Sequence, residues 1–251
     1  MKRWFPFALG TAGILLMAAA MWTPAAAQNF SLDLGEGGST TGRMVQLIAL
    51  LTILSLAPSI LVMVTSFTRI VVVLSFLRSA MGVQQTPPNA VLVSLALFLT
   101  MFVMGPTLEA SYKNGLLPLI ENQIGEEEAF TRTLAPIRTF MLEHVREQDL
   151  RLFMDLAQSP VAATPEETPL RSLIPAFMIS ELRRAFEIGF LLFLPFIVID
   201  MVVASILMSM GMMMLPPVMI SLPFKLIFFV LVDGWYLVAG RLVQSYGTIG
   251  S

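Results

Sequence analysis

Apolar sequence comes in two blocks with a polar stretch between them. The first runs from Met44 to about Thr107 and the second from about Phe186 to Val243. Residues 109–187 between them hold thirteen acids and eight bases. Within that polar stretch the apolar positions Ile137, Phe140, Met141, Val145, Phe153 and Leu156 recur at three- and four-residue intervals. Arg138, Glu143, Arg146, Glu147 and Asp155 take the other face, which predicts one amphipathic helix from Leu134 onward. Residues 161–169, with two prolines and two glutamates, read as a loop. By pattern this middle segment is mostly helical.

The apolar blocks are irregular as membrane spans. A crossing helix needs about 20 apolar residues. Arg43 to Arg69 encloses 25 uncharged residues, enough to cross, but only eight separate Arg69 from Arg78. Twelve separate Glu187 from Asp200, too few to span, and the 24 between Asp200 and Lys225 are interrupted by Gly211, Pro216, Pro217 and Pro223. Five charges (Arg69, Glu187, Asp200, Lys225 and Asp233) facing lipid would cost on the order of 10 kcal/mol or more. They are therefore expected to face protein or water, in broken, hairpin-like helices packed against protein. Arg69 has three ways to be satisfied: an acid such as Asp200, the carbonyls at a neighbouring helix end, or snorkelling to the interface. Glu181, Arg183, Arg184 and Glu187 cluster where the polar stretch re-enters the apolar one, as an inter-subunit ion-pair belt or a solvated helix entry.

The N-terminus reads as a secretory signal peptide over residues 1–27, with an uncleaved first membrane helix as the alternative. Lys2 and Arg3 precede an apolar run from Phe5 to Met21, and Pro24 precedes Ala25, Ala26 and Ala27. A Gly/Ser/Thr-rich lead-in follows over 28–43. The remaining segments are an apolar helical block over 44–108, a polar helical segment over 109–185 and a second apolar helical block over 186–251. With the N-terminus translocated, two crossings in the first block place the acidic segment outside the cytoplasm, in keeping with the positive-inside rule.

Composition narrows the chemistry. The chain is 56% hydrophobic and 13% charged, half the charged share of a soluble domain. No basic stripe suits nucleic acid. The absence of cysteine, with His144 as the single histidine, leaves no thiol nucleophile and no ordinary zinc site. No phosphate-binding loop, zinc-protease helix or nucleophile elbow is present. The sequence points to no enzyme activity and no cofactor. Seven of the eighteen methionines fall between Met201 and Met219. Methionine deforms around whatever touches it. Gly211 and the Pro216–Pro217 pair punctuate the cluster as a loop, which leaves two readings: ordinary lipid-facing or core methionines, or, with such loops from several subunits, a soft apolar ring.

Several segments resemble the FliP family of flagellar biosynthesis proteins. They are Pro175 to Leu182 continuing through Ala185 to Phe190, Pro195 to Val202, Thr65 to Arg78, Thr86 to Asn89, and Leu222 to Lys225 followed by Asp233 to Trp235. The resemblance implies an all-α fold and the role of an export-gate subunit of flagellar type III secretion in the bacterial inner membrane at the basal body. It implies a pentameric ring with FliQ-like and FliR-like subunits among other membrane proteins of the apparatus, passing unfolded flagellar subunits. It also implies a pore gasket at Met210, Met212, Met213 and Met214. For Arg69, Glu181, Arg184, Glu187, Asp200 and Lys225 the expected role is in inter-subunit or intramembrane charge contacts. A virulence secretion system uses a homologous subunit, and the signal peptide and lead-in fit the flagellar branch better. A solute transporter would carry an internal repeat relating the apolar blocks, which this sequence lacks.

Overall fold

A computed structural model describes residues 40–83, 85–158, 167–212 and 215–247. The signal peptide and most of the lead-in therefore lie outside the described residues. The chain divides into two units, 1–52 and 53–251. Of the first, the described part is the opening of helix α1 (Thr40–Met63). All regular structure among the described residues is helical.

The second unit is built on two antiparallel hairpins. Helix α2 (Phe67–Ala80) buries Ile70, Val73, Leu74 and Leu77, the three- and four-residue spacing of one helix face. Its partner α3 (Asn89–Ser111) follows Pro88 and buries Leu92, Ala96, Thr100, Val103 and Met104. The polar Thr100 hydroxyl donates to the Ala96 carbonyl at 2.7 Å, so it enters the core satisfied. A π-helical turn at Tyr112–Leu116 leads into the single turn α4 (Leu117–Ile120). The second hairpin pairs α7 (Leu170–Ser209) with α8 (Pro217–Leu231). Helix α9 (Gly234–Gln244) follows α8 after a bend of 63°. That bend is made at Asp233, whose φ of 50° lies in the left-handed region.

Two core clusters organise these helices. One joins the middle of α2 to Leu92, Ala96, Ala185, Phe196, Phe229, Val238 and Leu242. The other joins Val64, Val103 and Met104 to Phe140, Met141, Leu173, Phe177, Val243 and Tyr246. Glycine lets α2 and α7 close together. A Cβ at Gly189 would stand 2.5 Å from the Phe76 ring, which is held edge-on between Phe186 and Phe193.

The polar segment folds against the second cluster through α5 (Glu126–His144) and α6 (Glu147–Leu156). The single amphipathic helix expected here is two helices. Val145 and Arg146 are both extended, and the Arg146 amide donates to the Ser180 hydroxyl at 3.0 Å. Phe140 and Met141 are buried as expected, but Leu156, beyond the break, is exposed.

Charge spacing also misjudged α7. Glu187 and Asp200 are not the ends of short segments, because one 40-residue helix carries both and extends about 60 Å. Its internal Pro175 and Pro195 do not end it. Both α7 and the α3–α4 stretch (Asn89–Ile120) are long and apolar enough to cross a membrane. The bent α8–α9 pair would be a third if it acts as one span.

Candidate functional site

The methionine cluster is the turn of the second hairpin. Helix α7 ends by a Schellman closure: the Gly211 amide donates to the Met208 carbonyl at 3.1 Å and the Met212 amide to the Leu207 carbonyl at 3.0 Å. Gly211 has a φ of 74°, the left-handed residue that this closure requires. Pro216 then precedes the first turn of α8 with Pro217 in it, where a missing amide hydrogen costs nothing. The result is a tight tip with Met208, Met210, Met212 and Leu215 exposed, Met210 by 66%. Met213 and Met214 lie outside the described residues.

A first ion pair sits below that tip. The Lys225 ammonium of α8 donates to Asp200 Oδ2 of α7 at 2.7 Å and to the Ala80 carbonyl at 3.5 Å. The Ser221 hydroxyl donates to Asp200 Oδ1 at 2.5 Å. Lys225 is buried, whereas the Asp200 side chain keeps 33% exposure. The pair therefore fastens α8 to α7 and to the C-terminal end of α2. Ser221 and Lys225 are one turn apart, so both reach the same carboxylate from one helix face.

A second ion pair lies deep in the other cluster, and it joins Arg69 to Glu181 rather than to Asp200. Arg69 and Glu181 are 1% and 0% exposed. Arg69 Nε donates to Glu181 Oε2 at 2.8 Å, and its Nη2 donates to Oε1, a bidentate fork. Arg69 Nη1 donates to the Ser245 hydroxyl at 3.0 Å. The guanidinium also lies 3.8 Å over the Tyr246 ring, a cation–π contact in a desolvated place. The Tyr246 hydroxyl donates to Glu181 Oε2 at 2.5 Å. Burial, and then the Glu181 carboxylate, hold the phenol protonated well above its ordinary range. His144 packs against both the Phe140 and Tyr246 rings with its Nδ1 2.7 Å from the Phe140 carbonyl, a structural role.

The remaining sequence candidates are elsewhere. Glu187 forms an exposed pair with Arg183 at 3.0 Å, one turn back on α7. Asp233 is exposed at the α8–α9 bend. Arg184 enters no ion pair among the described residues. Glu181 is engaged inside its own chain, not at the surface with Arg183 and Glu187. The sequence reasoning missed Tyr246, Ser245 and Ser221. Ser221, one turn before Lys225, was the one accessible from spacing; the turn that follows α9 carried no signal for the other two.

Long apolar helices, two of them able to cross a membrane, packed around a buried ion pair mark a helical, membrane-associated protein. A model of the FliP family matches residues 50–242. The flagellar biosynthetic protein FliP of Caulobacter vibrioides is 61% identical over 236 residues, covering 93% of this chain and 89% of its own length. The protein of the same name from Bacillus subtilis is 56% identical, over 86% of this chain and 97% of its own. That of Rhizobium meliloti is 49% identical, over 94% and 98%. The chain belongs to the FliP family.

Proposed function

We propose that this protein is a core export-gate subunit of the flagellar type III secretion apparatus. In this reading it is a structural component without enzymatic activity, set in the bacterial inner membrane at the basal body. Copies form a ring, of five in the family's pattern, with FliQ-like and FliR-like subunits, and unfolded flagellar subunits pass through it. The relatives' shared name supports the flagellar assignment. The observation that carries the gate is the exposed methionine tip of a hairpin whose first arm is a 40-residue helix. Flexible thioether chains at such a tip can close around one another and yield to a passing chain. Asp200, Lys225 and Ser221 hold the two arms of the hairpin together below it, leaving the tip as its deformable part.

The test replaces Met210, Met212, Met213 and Met214 together by alanine. A severalfold rise in ion conductance of the bacterial membrane is expected, with hook and filament export retained. A substituted gate as ion-tight as the parent rules out the gasket.

A further inference from the structure

An apolar groove runs between α7 and α9, about 330 Å³ in volume. Its walls are Ile188 and Leu192 of α7 and Leu237 and Val238 of α9, and Arg241 and Ser245 line one end. Arg184 lies one helical turn before Ile188 on the same face of α7, close enough to Tyr246 for its charge to act on the phenol. The nearby carboxylates are already engaged. Glu187 is held by Arg183 at 3.0 Å, and Glu181 is buried under Arg69 and Tyr246. Among the described residues neither Arg184 nor Arg241 is in an ion pair, and Arg241 reaches only the Gln244 side chain at 3.4 Å. The apolar slot thus ends at Arg241, with Arg184 one turn before Ile188 on α7 and, among the described residues, no ion-pairing carboxylate on either. The level is where α7 passes from its charged turn into the uncharged run from Ile188 to Ile199.

We propose that this groove is a binding site for one anionic phospholipid, with an acyl chain between α7 and α9 and the phosphate against Arg184 and Arg241. Charge complementarity selects the headgroup, since a guanidinium pairs with phosphate through two parallel hydrogen bonds. The volume is that of a small-ligand pocket, while a partner protein needs a far wider contact. Both helices belong to segments apolar enough to cross a membrane, so a chain in the slot is continuous with the surrounding lipid.

The test is native mass spectrometry of the full chain in mild detergent, titrated with palmitoyl-oleoyl phosphatidylglycerol or the matching phosphatidylcholine. The wild type is expected to hold one phosphatidylglycerol about thirtyfold more tightly than phosphatidylcholine, the effect of two arginines at an anionic headgroup. R184Q/R241Q, which breaks no ion pair, loses that preference, and R241K keeps most of it. Ile188→Trp fills the slot and lowers retention with both arginines present. Equal retention of the two lipids by the wild type overturns the site, as does an unchanged preference in R184Q/R241Q. Displacement of phosphatidylglycerol by millimolar inorganic phosphate would mean surface anion binding without a seated chain. Loss of self-association in Ile188→Trp with lipid retention intact would give the groove to a second copy instead.

Discussion

Arg69→Met is expected to destabilise the protein by about 3–5 kcal/mol, the usual result of breaking a buried ion pair from one side. The substitution leaves the Glu181 carboxylate fully buried with the Tyr246 hydroxyl as its remaining donor. It also removes the bond to Ser245 and the contact over the Tyr246 ring. Because these groups come from α2, α7 and the turn that follows α9, the damage extends through the second core cluster. Unfolding in detergent, followed by circular dichroism against temperature, reads the loss. R69M/E181L should recover a large part of it, since a buried pair replaced by apolar groups is often near neutral. Tyr246→Phe, which removes a single charge-assisted bond, should cost only about 1.5–3 kcal/mol. If R69M melts with the wild type, the pair contributes nothing and the described packing is wrong there.

Gly115→Ala is expected to be nearly as harmful despite its small size. A Cβ there would stand 2.7 Å from the Thr133 amide nitrogen and 2.9 Å from its Cα. Those are backbone atoms of α5 and cannot rotate aside. The π-helical turn at Tyr112–Leu116 and α5 would have to separate, at the upper end of the overpacking range, about 3 kcal/mol. Gly105 supplies the opposite case within α3. Nothing lies within 4 Å of a Cβ there, so Gly105→Ala should stabilise by about 0.5–1 kcal/mol through helix propensity. Thermal unfolding of the two variants side by side checks the contrast, and equal melting points would contradict the close approach of α5.

The architecture was legible where periodicity and cost were decisive. The spacing of Ile137, Phe140 and Met141 marks the core-facing side of α5, and the expense of bare charges in lipid turned Arg69 and Lys225 towards protein or water, where both are buried in protein. Glu187 instead meets its partner on its own helix in the open, and Asp233 is exposed. Pairing was harder to read. Arg69 and Glu181 are 112 residues apart, and nothing local distinguishes Glu181 from Asp200 as the acid. The continuity of α7 was hidden because charges were counted as helix ends. Along one long helix, Glu181 and Asp200 instead turn towards different neighbours at different depths. The break at Val145–Arg146 depends on Ser180 capturing an amide from another helix, a tertiary event that hydrophobic period does not encode. The methionine tip was legible because Gly211 and the proline pair dictate a turn by their own backbone chemistry.

The most direct test of the account is secretion of hook and filament protein by a strain from which this gene has been deleted. The account predicts that neither protein leaves the cell, and that the plasmid-borne gene restores both. Normal flagella in the deleted strain would contradict it.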